Sequence, residues 1–384
     1  MMSTTQDRFL RHMPRDGSQF KRKFDLWGML HIDLPLLVAL LIAASIGLFE
    51  LYSASGRHFD MTLKQLMSFG IGLTVMFVLA QIPPRTYQTI SPWFYAGGVL
   101  LLVAVAVVGD VRMGAQRWLS IPGVGSVQPS EFMKLAMPMM LAWFLATRVL
   151  PPSVFNVGIA LVLIGIPALL VAEQPDLGTA ILVAASGLFV LFLGGLSWWL
   201  IGGFVAAMLP LAWMVWSHFL HDYQRQRILT LFNPEADPLG NGWNIIQSKT
   251  AIGSGGMLGK GWMNGSQSHL EFLPEGHTDF IIAAYSEEFG LIGVLVLFSI
   301  YLFIIGRSFY IASTAQDGYS RLLAGAITMS FFVYVFVNAG MVSGILPVVG
   351  VPLPFISYGG TAIITLCSGF GILMSIQTHK KLIS

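Results

Sequence analysis

What most constrains this chain is a recurring stretch of about 20 nearly uncharged apolar residues. A helix that crosses a membrane needs roughly that many, because it rises about 1.5 Å per residue through a hydrocarbon core about 30 Å thick. Such runs fall at 34–53, 65–82, 92–109, 131–147, 155–172, 178–195, 198–217, 280–305, 322–343 and 353–375. They are continuous rather than alternating, so strands are not expected. The expected fold class is all-α: a polytopic membrane protein with about ten transmembrane helices in one integral domain. Composition agrees, since 55% of the 384 residues are hydrophobic and the mean hydropathy is +0.72. A soluble domain is only about half apolar.

An even number of spans puts both termini on one side. That side holds Arg8, Arg11, Arg15, Lys21, Arg22, Lys23, Arg85, Arg148, Arg307, Arg321, Lys380 and Lys381. The short segments opposite hold Arg57, Lys64, Arg112 and Arg117. The bias towards one face assigns the first side to the cytoplasm. Residues 1–33 are then a cytoplasmic tail, 34–376 the membrane domain and 377–384 a second tail. The tail lacks the short apolar core and small-residue cleavage site of a signal peptide, so it is expected to be retained. A long loop, 218–279, lies outside, with the shorter segments 110–130, 173–177 and 344–352. The single cysteine, Cys367, rules out an intrachain disulfide. No nucleic-acid partner is expected.

The unusual residues gather in those outer segments. The fourth run opens VQPSEFMKLAMP, with Pro129 suited to a first helical turn and Glu131 and Lys134 three apart on one face. They form either a local ion pair that orients the helix or a charged wall of an outward cavity, with Lys134 open to an anion. In EQPDLGTA, Asp176 stands at a helix N-terminus, where capping and function explain it equally well. In DYQRQRI, Arg225 and Arg227 suit either phosphate or lipid headgroups. GSGGMLGKG lacks the Ser or Thr that follows lysine in a nucleotide-binding loop, so nucleotide binding is rejected. A glycine-rich backbone near a substrate, with Lys249 and Lys260 as counter-charges, stays open. LEFLPEGHTDFI gathers Glu271, Glu275, His277 and Asp279 just before the eighth run. Asp279 is placed to accept a proton at the helix mouth. Glu287 and Glu288, two turns deeper, read as a buried hydrogen-bonded pair or a pocket wall. The prolines and glycines of GILPVVGVPLPFISYGG suggest irregular backbone covered by protein or lining a cavity, with Ser357 at the site or merely at a kink.

Together, QPSEFMK, AEQPDLGTA, DYQRQRI, NPEADPLGNGWNIIQSKTAIGSGGMLGKG, FLPEGHTDF and GILPVVGVPLPFISYGG resemble the shape, elongation, division and sporulation (SEDS) family. The resemblance runs from about residue 25 to the C-terminus and favours the elongation branch over the division branch. It implies a ten-helix peptidoglycan glycosyltransferase of the bacterial inner membrane. Its substrate would be lipid II, polymerised into glycan strands on the outer face beside a class B penicillin-binding protein and other elongation-complex proteins. The family's essential aspartate matches Asp279, its paired Glu and Lys match Glu131 and Lys134, and a further acid matches Asp176. His277 and Ser357 then support the site. Gly276 departs from the pattern, since many relatives carry Arg there.

On this reading Asp279 is the general base. The leaving diphosphate is offset by Lys134, Arg225 or Arg227, or by a divalent cation (Mg or Mn) for which Asp176 and Asp279 are the candidate ligands. Two alternatives come from other classes: a transporter that flips lipid II, and a scaffold that only recruits the crosslinking enzyme. The scaffold leaves the acidic constellation without a purpose. A flippase would place its charges at the midplane rather than at the outer edge.

Overall fold

The computed structural model describes residues 30–380, apart from 57, 113–114, 122–124, 215, 218–224, 226–228, 232, 234, 236–240 and 267–275. Arg227, Glu271, Glu275, most of the N-terminal tail and residues 381–384 lie outside the described residues.

A helix overlaps each of the ten apolar runs. They are α1 (Leu34–Ala54), α2 (Phe59–Gln81), α3 (Pro84–Val108), α4 (Pro129–Ala146), α5 (Val154–Glu173), α6 (Leu177–Leu193) and α7 (Trp198–Met214). After α8 (Asn241–Gly255), in the long loop, come α9 (Ile281–Ser313), α10 (Gly318–Val342) and α11 (Gly360–Thr378). Among the described residues seven, α1, α2, α3, α5, α9, α10 and α11, are long and apolar enough to cross a membrane. Large apolar side chains such as Trp93, Leu100, Val107, Leu169 and Leu302 are exposed on the outside of the bundle. So much apolar surface suits hydrocarbon and not water. The chain is an all-α polytopic membrane protein.

Three expectations need correction. Helices α2 and α3 start well before the apolar runs, at Phe59 and Pro84, because apolarity marks the bilayer while the helix runs on into polar flanks. Helix α11, which covers the tenth apolar run, starts late, at Gly360, and 353–359 are not helical. Pro347, Pro352 and Pro354 supply no N–H to a helix there. Strands do occur, between spans rather than within them. β1 (Asp110–Arg112), β2 (Ala115–Ile121) and β3 (Gly125–Val127) form an antiparallel sheet in the order β1-β2-β3. A short segment between two helices must still pair its backbone groups, and a meander does so locally.

The two ends of the bundle differ in chemistry. At one end Asp33 caps α1 and takes both guanidinium arms of Arg307, at 3.1 and 2.6 Å. There the His31 and His379 rings stack 3.9 Å apart, so both ends of the described chain meet at this end of the bundle. The other end carries the starts of α4, α6, α9 and α11 and the end of α10. The helices between bury one continuous apolar core, in which α2 packs on α11, α3 on α4 and α9 on α10.

Candidate active site

α4 begins as its sequence dictates, with Pro129 in the first turn, Gln128 as the cap and Glu131 and Lys134 on one buried face. Lys134 Nζ donates to Glu131 Oε1 at 2.5 Å. The ammonium also lies over the Tyr334 ring of α10, 5.1 Å from its centroid. Glu131 Oε2 is buried and has no partner among the described residues.

Asp176 caps α6, accepting from the Thr179 N–H at 3.1 Å. Gln128 Nε2 reaches its other oxygen at 3.4 Å, and Arg117 pairs with it at 3.6 Å. Arg117, from β2, also donates to the carbonyls of Gln174 and Pro175. The sheet therefore grips the α5–α6 turn, and capping accounts for much of what Asp176 does.

Asp279 sits in the turn just before α9, half-buried. The positive end of the helix dipole favours a carboxylate there. This turn is held from several sides. The Tyr358 N–H donates to the His277 carbonyl at 3.0 Å. Ser357 Oγ donates to the Thr278 carbonyl at 2.6 Å and accepts from the Leu353 N–H at 2.8 Å. Asn338 Nδ2 donates to the Asp279 carbonyl at 2.9 Å and to the Val351 carbonyl at 2.7 Å. Gln65 of α2 donates to the Ser357 carbonyl at 2.9 Å and accepts from the Gly359 N–H at 3.2 Å. The irregular stretch 347–359 is thus covered and bonded by protein, as its prolines required. Ser357, 3% exposed, supports the turn through these bonds. A Cβ on Gly350, whose φ is +78°, would stand 3.4 Å from Asp279 Oδ2. Glycine thus leaves the carboxylate's flank bare at this point.

Helix α10 ties these parts together. Tyr334 faces Lys134, and one turn on, on the same face, Asn338 holds Asp279. Tyr334 also interacts electrostatically with Glu131 and Asp176. At the start of α6, a Cβ on Gly178 would come within 2.6 Å of the Val349 carbonyl, next to Gly350. Glu131, Lys134, Asp176 and Asp279 therefore surround one end of the bundle, joined through α10 and the 349–351 loop. Reading the sequence missed Tyr334, Asn338, Gln65 and Arg117. The signal for Asn338 was an amide inside the run FFVYVFVNAGMV, where an unpaired polar group is costly.

Other candidates lie elsewhere or serve the fold. Arg225 donates to the carbonyls of Trp216 and Ser217, just past the end of α7, at 3.0 and 3.1 Å. Lys249 is exposed on α8, its side chain over Gly344. Lys260 pairs at 2.5 Å with Glu287, whose side chain is fully buried. The segment GSGGMLGKG docks on a break in α9 at Gly290, where φ is 64° and ψ −166°. The Leu291 and Ile292 N–H groups donate to the carbonyls of Gly256 and Met257, and those of Lys260 and Gly261 to the carbonyls of Glu287 and Glu288, at 2.9–3.2 Å. A Cβ on Gly259 would stand 2.1 Å from the Glu288 oxygen. These glycines let two backbones meet, and Lys260 is engaged with Glu287 rather than standing open.

A divalent cation does not fit Asp176, whose oxygens already face three donors, one of them cationic. No group of three or more His, Cys, Asp or Glu that could hold a metal exists among the described residues.

Comparison with known proteins gives the family and the fold. The family model covering FtsW, RodA and SpoVE, described as cell cycle protein, matches residues 27–382. The peptidoglycan glycosyltransferase MrdB of Escherichia coli K12 is 54% identical over 365 residues, covering 94% of this chain and 98% of that protein. A chain from a peptidoglycan synthase complex that coordinates polymerization and crosslinking superposes with a TM-score of 0.80 at 29% identity, covering 91% of this chain and 99% of the other. The crystal structure of the Thermus thermophilus rod shape determining protein RodA gives 0.68 at 26% identity, covering 91% and 98%. From the buried Glu131–Lys134 pair to the clamped Asp279 turn, the molecule belongs to the FtsW, RodA and SpoVE family, the SEDS proteins.

Proposed function

We propose that this chain is a peptidoglycan glycosyltransferase that polymerises lipid II into glycan strands for cell elongation, with Asp279 as general base. The observation that carries the proposal is the convergence of an Asp at a helix mouth and a buried lysine on one bundle end, through α10. Lipid II hangs from an undecaprenyl tail, so its diphosphate sits at headgroup depth. An enzyme for it needs a carboxylate and a cation at that depth, reachable from lipid.

The step is a single displacement. The acceptor sugar's 4-hydroxyl oxygen bonds to the donor's anomeric carbon as its proton passes to the Asp279 carboxylate. The bond from that carbon to the diphosphate oxygen breaks, and undecaprenyl diphosphate leaves with the electron pair. Lys134 offsets the charge that develops on it.

The setting follows from the same reading. The protein lies in the bacterial inner membrane with ten spans. Residues 1–33 and 377–384 are cytoplasmic, and the 218–279 loop and the site face outward. A class B penicillin-binding protein crosslinks the product, as part of an elongation complex.

A positioned base contributes about 10²–10⁴-fold in rate. Asp279→Asn should therefore nearly abolish polymer formation from purified lipid II in detergent, with folding and partner binding retained. Robust synthesis by that variant refutes the role of Asp279. Failure of the unaltered chain, with its partner, to make polymer from externally supplied lipid II favours the flippase instead.

A further inference from the structure

We infer that Asn338 is a positioning residue for polymerisation, setting where the Asp279 carboxylate stands. The inference rests on Asp279 as base. Asn338 is fully buried near the end of α10. Its Nδ2 spends both hydrogens on carbonyls, those of Asp279 and Val351, which lie 59 and 13 residues away in the chain. One carbonyl belongs to the carboxylate residue itself. The other follows Gly350, the residue that flanks Asp279 Oδ2. A single amide thus holds both sides of the carboxylate's seat.

The orientation of that amide is forced. Flipping it would turn Oδ1 towards two carbonyl oxygens, which cannot donate. As it stands, Oδ1 is buried without a partner among the described residues. An apolar residue would avoid that unsatisfied atom, so what the amide contributes here is its two donors. The neighbouring bonds go to other carbonyls of the same turn. The carbonyls of His277 and Thr278 are held by Tyr358 and Ser357. Without Asn338 the turn keeps those two anchors but loses the amide that ties the Asp279 carbonyl to the Val351 carbonyl, which loosens the peptide that carries the carboxylate.

The experiment uses the full chain, purified lipid II and two variants. Asn338→Ala removes the amide, and Asn338→Asp keeps its shape without the N–H donors. Turnover at saturating lipid II should fall roughly 10²-fold, the cost of a misplacement near 1 Å, with KM nearly unchanged. In an Asp279→Asn background the same changes should add only a few-fold, because residues that act as a unit are not additive. An equal loss in both backgrounds overturns the inference, as does a rise in KM with turnover intact. Failure of both variants to fold also overturns it, the role then being structural. If Asp279→Asn itself polymerises normally, the base assignment fails by itself. Hydrogen–deuterium exchange at 277–280 and 349–353 then judges the clamp: faster exchange in Asn338→Ala supports it, and unchanged exchange removes it.

Discussion

Two Glu–Lys pairs stand near the same end of this bundle, each with an ammonium 2.5 Å from a carboxylate oxygen, and they differ in everything around that contact. Glu287 Oε1 takes Lys260, the Ser266 N–H and hydroxyl at 3.0 and 2.9 Å, and Ser254 at 3.4 Å. It fastens the glycine-rich segment onto the broken helix α9. Glu131 and Lys134 are 9% and 7% exposed. There one carboxylate oxygen has no partner among the described residues, and the lysine lies against an aromatic ring. Saturated donors and acceptors make a staple, whereas a buried pair with capacity left over suits a ligand. Sequence spacing alone does not separate the two.

The sharpest way to break this contrast is at Lys134. Lys134→Met should lower polymerisation by about 10²–10³-fold, the range for losing one preorganised transition-state contact. The exchanged pair, Glu131→Lys with Lys134→Glu, should restore folding but not turnover. Activity in the exchanged pair would mean that the pair only orients α4. At the other pair the larger loss is in stability. Glu287→Ala strips partners from Lys260 and Ser266, and breaking such a buried pair costs about 3–5 kcal/mol. Unfolding in detergent would register it, with turnover per folded molecule close to normal. Smallest in its effect on turnover is Lys260→Met, which leaves the fully buried Glu287 carboxylate without its counter-charge while Ser266 still donates to it. A stability loss of the same order, about 3 kcal/mol, is expected, with unchanged turnover. A large activity defect there would return the glycine-rich segment to the substrate site.

Much of this was legible in the residues, for reasons that differ by residue. The spans could be read because hydrocarbon demands length and apolarity that a single window of sequence displays. Glu131 and Lys134 could be paired because helical periodicity puts positions three apart on one face. Asp176 could be placed at a cap because the preference for a carboxylate at a helix start is local. Singling out Asp279 from Glu271, Glu275 and His277 took the family resemblance, since every acid in that stretch had the same local claim. The partner of Lys260 could not be read, because it lies 27 residues further along.

By itself, then, the sequence determined the class of molecule, the approximate course of its helices and the end of the bundle where charge collects. These follow from interactions between near neighbours in the chain and from the bilayer as solvent. Only the tertiary structure decided that α10 carries the links to the site, that Asn338 clamps Asp279, and that the glycine-rich segment closes on the break at Gly290. Those contacts join residues distant in the chain, and their worth depends on burial and on which donors remain unspent. Packing sets both, and no local pattern of residues records them.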